Sequence, residues 1–155
     1  MVKYEKPVFN AAYRMLNSSE DARDVTQTVF LKVIENLDSY NPEYRFFSWI
    51  YRIALNESIN CLKKQSRLGT LDKEPVSEAS GPEELTGSEQ MSKGMQAALM
   101  TIKPDYRTVI VLKHFVDCSY GEISQILDIS EKKVKSRLYS ARQLLKDALI
   151  KNGIH

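Results

Sequence analysis

The sequence predicts an all-α fold: two small helical domains joined by a flexible acidic linker. Three observations carry this. Apolar residues recur at spacings of three and four on both sides of residues 68–90, the signature of helices with one buried face. Period-two alternation between Gly-rich hairpin turns, which would mark strands, is absent. Charge is partitioned as well: residues 1–67 carry 10 basic and 8 acidic side chains, residues 68–90 carry 1 and 6, and residues 91–155 carry 11 and 6. A formal net charge of +2 therefore hides a basic C-terminal part and an acidic middle. That middle holds Gly, Ser, Thr, Pro and isolated leucines without periodicity, which reads as a mobile tether. The predicted divisions are a domain over 1–67, a linker over 68–90 and a domain over 91–155.

The first helix runs to about Leu16, with Pro7 in its first turn, where a missing N–H is tolerated. Asn17-Ser18-Ser19 then caps a second helix over Glu20–Leu37, with Asp21 three residues after Ser18 and an acid-rich first turn. Ala22, Val25, Val29 and Val33 form its buried stripe, with Phe30, Ile34 and Leu37 beside it. Asp24, Gln27, Thr28, Leu31 and Glu35 are left outside. A polar face with one embedded leucine is either ordinary surface or a docking face for a partner helix.

Residues 38–52 are dense in rings: Tyr40, Tyr44, Phe46, Phe47, Trp49 and Tyr51, with Arg45 and Arg52 among them. Asn41-Pro42-Glu43 opens a loop, and a third helix resumes near Ser48 and runs to about Gln65. Arg52, Asn56, Asn60, Lys63 and Lys64 fall along one side of it. Single-stranded nucleic acid requires π-faces for unstacked bases, cations for phosphates and amides for base edges. Core packing is the competing reading and is preferred for Phe47 and Trp49. For Tyr44, Arg45 and Phe46, in or beside the loop, both readings stand.

After the linker, residues 105–116 are helical, with Val109, Leu112 and Val116 on one face and Ile110 beside them. Ser119-Tyr120-Gly121-Glu122 fits a capping box, and a short helix follows through Ile123, Ile126 and Leu127. Asp128-Ile129-Ser130 turns the chain, with Ile129 buried and Ser130 as the next N-cap. The last helix puts Val134, Leu138, Ala141, Leu145 and Ala148 on one stripe. Lys132, Ser136, Tyr139 and Gln143 lie opposite, flanked by Lys133, Lys135 and Ser140, with Arg137, Arg142 and Lys146 at the edges. A helix that is only solvated usually interleaves its charges; between Glu131 and Lys146 six Lys or Arg meet one acid. A short helix, a three-residue turn and a basic second helix match a helix-turn-helix that docks in a major groove. A three-helix bundle with a basic solvated face is the competing reading.

Cys61 and Cys118 stand far apart with no His or Cys pair nearby, too few for a zinc site or a disulfide framework and in keeping with a reducing cytosol. Cys118 sits at a turn, open to exposure, and His114 reads as incidental. No apolar run approaches a membrane span, and no charged-then-apolar leader opens the chain. Paired carboxylates, a nucleophile–base set and a phosphate loop are all missing, so neither an enzyme nor a bound cofactor is expected.

With both halves in view, the chain resembles the extracytoplasmic-function (ECF) class of bacterial RNA polymerase sigma factors. The residues carrying the resemblance are Asp21-Ala22-Arg23-Asp24-Val25-Thr26-Gln27-Thr28-Val29-Phe30-Leu31-Lys32, then Phe47-Ser48-Trp49-Ile50-Tyr51-Arg52-Ile53-Ala54-Leu55-Asn56. In the basic half they are Tyr106-Arg107, Leu112-Lys113, Ser119-Tyr120-Gly121-Glu122-Ile123 and Val134-Lys135-Ser136-Arg137-Leu138. The first part would be sigma region 2 and the last part sigma region 4. The resemblance implies that Asp24, Gln27, Thr28 and Leu31 dock on the clamp of core RNA polymerase. It implies that Tyr44, Arg45 and Phe46, with Arg52, Asn56, Asn60 and Lys63, meet the melted −10 element. Lys113, Lys132, Lys135, Ser136, Arg137, Tyr139, Ser140 and Gln143 would lie at the −35 duplex. Promoter DNA and an anti-sigma factor are the further expected partners, and the cytoplasm the expected location. The chain departs from the family in a short segment before Tyr4, in Asn60 where aspartate is common, and in Glu131-Lys132-Lys133 in place of a Gly-Thr pair. From the residues alone, an autonomous helix-turn-helix regulator and a sequestering module remain as alternatives.

Overall fold

The computed structural model describes residues 2–40, 46–68 and 87–151, and all regular structure among them is helical. In chain order the elements are α1 (Val2–Leu16), α2 (Ser19–Glu35), a 3₁₀ turn (Leu37–Ser39), α3 (Phe46–Leu68), α4 (Gly87–Met100), α5 (Pro104–Ile110), a π-helical segment (Val111–Phe115), α6 (Tyr120–Leu127) and α7 (Glu131–Lys151).

Helices α1, α2 and α3 pack as a bundle around Val8, Ala11, Ala12 and Met15, the predicted stripe Ala22, Val25, Val29 and Val33, and Ile50, Tyr51, Ala54 and Leu55, all buried. Ser18 caps α2 as expected, its Oγ accepting from Asp21 N at 3.2 Å. At the surface Lys32 pairs with Glu57, and Gln65 Nε2 donates to Asp21 Oδ2 at 2.6 Å, tying α2 to α3. Three local expectations are corrected. Pro7 lies inside α1 because the helix begins at Val2; with so few residues before it, the hydrogen bond it cannot donate disturbs one turn only. α2 ends at Glu35, and Ile34 and Leu37 are 56% and 53% exposed rather than beside the core. α3 begins at Phe46, two residues before the expected Ser48. Leu68 and residues 87–90, assigned to the linker from composition, are helical; the rest of that linker lies outside the described residues.

Helices α4 to α7 enclose Leu99, Ile102, Val109, Leu112, Ile123, Ile126, Val134, Leu138 and Ala141. Both caps predicted for the helix-turn-helix form. Ser119 and Glu122 make a reciprocal capping box, and Ser130 Oγ accepts from Lys133 N at 3.1 Å. Between them Asp128 adopts φ 56°, the left-handed conformation that ends α6, one that Asp and Asn reach more readily than most residues. Ile129 is half-buried rather than buried. Cys118, expected to be open to exposure, is 1% exposed, and burial pushes its thiol up to about 12, so it stays a neutral, unreactive packing group.

The two halves are not independent bodies. α1 packs on α4, α5 and the π-helical segment, and α3 packs on α6. The buried apolar residues of both halves form one continuous cluster. Arg107, 4% exposed, sits at the junction. Its Nε donates to Leu99 O at 2.9 Å, its Nη2 to Ile102 O at 2.8 Å, and its Nη1 to Met15 O at 2.6 Å on the opposite half.

Candidate nucleic-acid interface

α7 presents its cations because its apolar stripe is spent on the core. With Val134, Leu138 and Ala141 buried, Lys132, Lys135, Ser136, Tyr139 and Gln143 are exposed, and Arg137 and Ser140 are half-buried at the margin. Tyr139 is 69% exposed, a large ring left open among the described residues. Lys113 reaches the same surface from the π-helical segment, its Nζ donating to Cys118 O at 3.3 Å. Tyr120 lies between the two elements, its ring centroid 4.8 Å from Lys113 Nζ and 5.5 Å from Lys135 Nζ. At these distances a ring face attracts an ammonium by about 0.5–1 kcal/mol. Two lysines 22 positions apart in sequence thereby share one ring.

His114, read as incidental, has a partner: Arg142 Nε donates to its Nε2 at 3.2 Å. Burial, then the charges of Arg142 and Lys113, lower its pKa, which keeps the ring neutral and able to accept. No motif signals this pair, because its members are on different elements.

On the other half, Arg52, Asn56, Asn60 and Lys63 are exposed along α3. Arg52 and Asn56, with Ser39, Ser48, Trp49 and Ile53, line a cleft of about 330 Å³. Ser48 Oγ is buried there without a hydrogen-bond partner among the described residues. Gln125 of α6 forms the remaining wall. Phe46 stands half-buried in a ring cluster, 5.4 Å from Tyr4, 5.9 Å from Tyr40 and 5.7 Å from Trp49 between centroids, so it braces the start of α3. Tyr44 and Arg45 lie outside the described residues.

On α2, Asp24, Gln27 and Leu31 are exposed, and Thr28 is half-buried with its hydroxyl donating to Asp24 O at 3.0 Å. Leu31 is 61% exposed and continues into Ile34 and Leu37, an apolar row at spacing three on the outside of the bundle. Sequence reading missed the last two as surface residues. The i, i+3 spacing of Ile34 from Leu31 was the available signal for the first; Leu37 lies past the C-cap of α2, in the 3₁₀ turn.

Among the described residues no group of three or more His, Cys, Asp or Glu could hold a metal ion, and no helix is long and apolar enough to cross a membrane.

Two segments of the chain match known families. Residues 1–68 match Sigma-70 region 2, and residues 93–145 match Sigma-70, region 4. The chain is 32% identical over 158 residues to the ECF RNA polymerase sigma factor SigW of Bacillus subtilis, covering 94% of this chain and 84% of that protein. It is 31% identical over 157 residues to the ECF RNA polymerase sigma-E factor of Escherichia coli K12, covering 94% and 82%. The chain belongs to the ECF RNA polymerase sigma factors. Its fold is shared with the sigma factor RpoE of Bartonella quintana, solved in complex with the anti-sigma factor NepR, at a TM-score of 0.78 and 20% identity, covering 96% of this chain and 92% of that one.

In this ECF sigma factor the match to region 2 ends with α3, and the match to region 4 begins inside α4. The Lys113–Tyr120–Lys135 group falls wholly within region 4. Replacing Tyr120 by leucine is expected to weaken holoenzyme binding to duplex DNA upstream of the start about three-fold, the loss of two exposed cation–π contacts. It should also flatten the salt dependence of binding, because the lysines then meet phosphate less often. Tyr120→Phe, which keeps the ring, should behave as wild type. Titration of fluorescent promoter fragments at several salt concentrations checks this.

Proposed function

We propose that this ECF sigma factor carries core RNA polymerase to its promoters by reading two elements with two separate surfaces. The observation that carries this reading is the pairing on one chain of an uncovered basic helix, α7, with an exposed Arg-Asn-Asn-Lys row on α3. A helix of this kind fits a duplex major groove, and the row beside aromatic rings fits a single strand. In this reading Lys113, Lys132, Lys135, Ser136, Arg137, Tyr139, Ser140 and Gln143 meet the −35 duplex. Arg52, Asn56, Asn60 and Lys63 follow the non-template strand at −10, with Tyr44, Arg45 and Phe46 around the flipped base.

Melting sets the division of labour. Extruding a base costs a few kcal/mol, and one aromatic stack returns about 1–3 kcal/mol. The chain alone therefore binds promoter DNA weakly, and polymerase contacts supply the difference. Those contacts are assigned to Asp24, Gln27, Thr28 and Leu31, with Ile34 and Leu37 extending the apolar row. Leu31→Lys is expected to weaken core binding at least ten-fold without changing the melting temperature, since the residue is 61% exposed and surface changes rarely move stability by more than about 0.5 kcal/mol. Competition with unlabelled chain for core enzyme measures it.

The factor works without catalytic chemistry or a cofactor of its own, in the cytoplasm, and is held by an anti-sigma factor when idle. The last assignment is supported by the fold shared with RpoE, which was solved with such a partner. The test of the whole reading is transcription from a promoter library by core polymerase plus this protein, with the 5′ ends sequenced. Starts sharing −35 and −10 elements are the expected result. Stable core binding without specific starts would leave only a sequestering module.

A further inference from the structure

Between Glu131 and Lys146, α7 sets one acid against six Lys or Arg. That acid, Glu131, is the first residue of the helix and is exposed, as are Lys132 and Lys133 after it. Ser130 fixes where the helix begins. Its Oγ accepts from Lys133 N at 3.1 Å and its carbonyl from Val134 N at 2.9 Å. An acid in a first turn suits the helix dipole, which is the ordinary role for such a residue.

The position of the carboxylate adds a second observation. It lies against the first turn of α6, where a Cβ added to Gly121 would stand 3.3 Å from Glu131 Oε1. Glycine therefore leaves the room that the carboxylate fills. Among the described residues no hydrogen bond or ion pair engages Glu131, so this contact seats the group without using its lone pairs. Gly121 directly follows Tyr120, the ring shared by Lys113 and Lys135. The first turn of α6 thus touches two cations and one acid of the surface assigned to duplex DNA.

A carboxylate is a poor neighbour for a duplex backbone, which carries one negative charge per about 1.7 Å of axis. Base edges differ. The first residues of a recognition helix reach them in the major groove, where each base shows its own pattern. Cytosine offers the N4 donor, guanine and thymine offer acceptors, and adenine sets its N7 acceptor beside its N6 donor. A group that only accepts fits cytosine best and is repelled by guanine and thymine.

We propose that Glu131, seated against Gly121, is a specificity-determining residue that selects cytosine at one position of the −35 element. The inference rests on the −35 reading of α7 and names a contact that reading does not contain.

Transcription by the holoenzyme from a library randomised across the −35 element, above a fixed and previously mapped −10 element, tests it. Wild type should favour cytosine at one position by about five-fold. Glu131→Gln, whose amide pairs bidentately with adenine, should move that preference to adenine. Glu131→Asp keeps the charge at the helix start but shortens its reach. It should lose the preference while its melting temperature stays at the wild-type value. Gly121→Ala, a favourable exchange within a helix, displaces the carboxylate and should weaken the preference at that same position about two-fold. The other −35 positions should keep their bases in all three variants. If wild type selects a −35 motif and both Glu131 variants select the same bases throughout, Glu131 serves the helix dipole alone. The proposal is then overturned with the −35 reading intact. If wild type selects no base across the randomised element, the −35 reading fails and the proposal falls with it.

Discussion

Arg107→Met should lower the unfolding free energy by about 4 kcal/mol, a loss on the scale of emptying a core position. Methionine keeps the volume but removes every donor. The carbonyls of Leu99, Ile102 and Met15, now at 2.6 to 2.9 Å from the guanidinium, would each lose a charged partner; Leu99 O keeps its bond from Ile102 N, and a buried acceptor left bare costs about 1–3 kcal/mol. For a chain of this size the midpoint of thermal unfolding should fall by about 8–16 °C. Burial lowers the Arg107 pKa from its ordinary value, but an arginine remains charged throughout the accessible pH range, so the loss should not depend on pH. Lysine, with one compact head in place of a planar fork, should recover less than half of it. Thermal and urea unfolding of the three proteins measure the series.

The second large effect is on promoter choice. Lys135→Ala with Tyr139→Ala should reduce transcription that depends on the −35 element at least ten-fold, because each good base-edge contact is worth about 1–3 kcal/mol. Both side chains are exposed, so unfolding and core binding should not change. The readout is a pair of templates, one with the −35 element and one with that element scrambled. Loss on the first alone assigns the contact. Equal loss of core binding would instead place these residues at the polymerase.

These two effects separate the tasks of region 4. Arg107 faces inward and holds the domain to α1, whereas Lys135 and Tyr139 face outward and belong to no packing contact larger than the Tyr120 ring. The Tyr120 group connects the two tasks. Its ring sits at the first position of α6, whose capping box fixes the helix start, and from there it gathers lysines from the π-helical segment and from α7. Placement of α6 thus positions the ring that these two lysines share.

Much of this was written in the sequence alone, wherever the chemistry is local. The stripe Ala22, Val25, Val29 and Val33, the caps at Ser18, Ser119 and Ser130, and the outward cations of α7 all depend on residues within about four positions of each other, and all appear where periodicity placed them. The helix-turn-helix was legible for the same reason. Tertiary structure alone decided what depends on residues far apart. Cys118 is buried although it sits at a turn, and Ile34 and Leu37 are exposed on the outside of the bundle. His114 and Arg142 meet across 28 positions. The largest decision of this kind is that both halves share one core, sealed by Gln96 and Arg107 reaching 83 and 92 residues back to α1. Composition splits the chain at its acidic middle, but hydrogen-bond donors find buried carbonyls through space, and no local pattern records which helix end will need them.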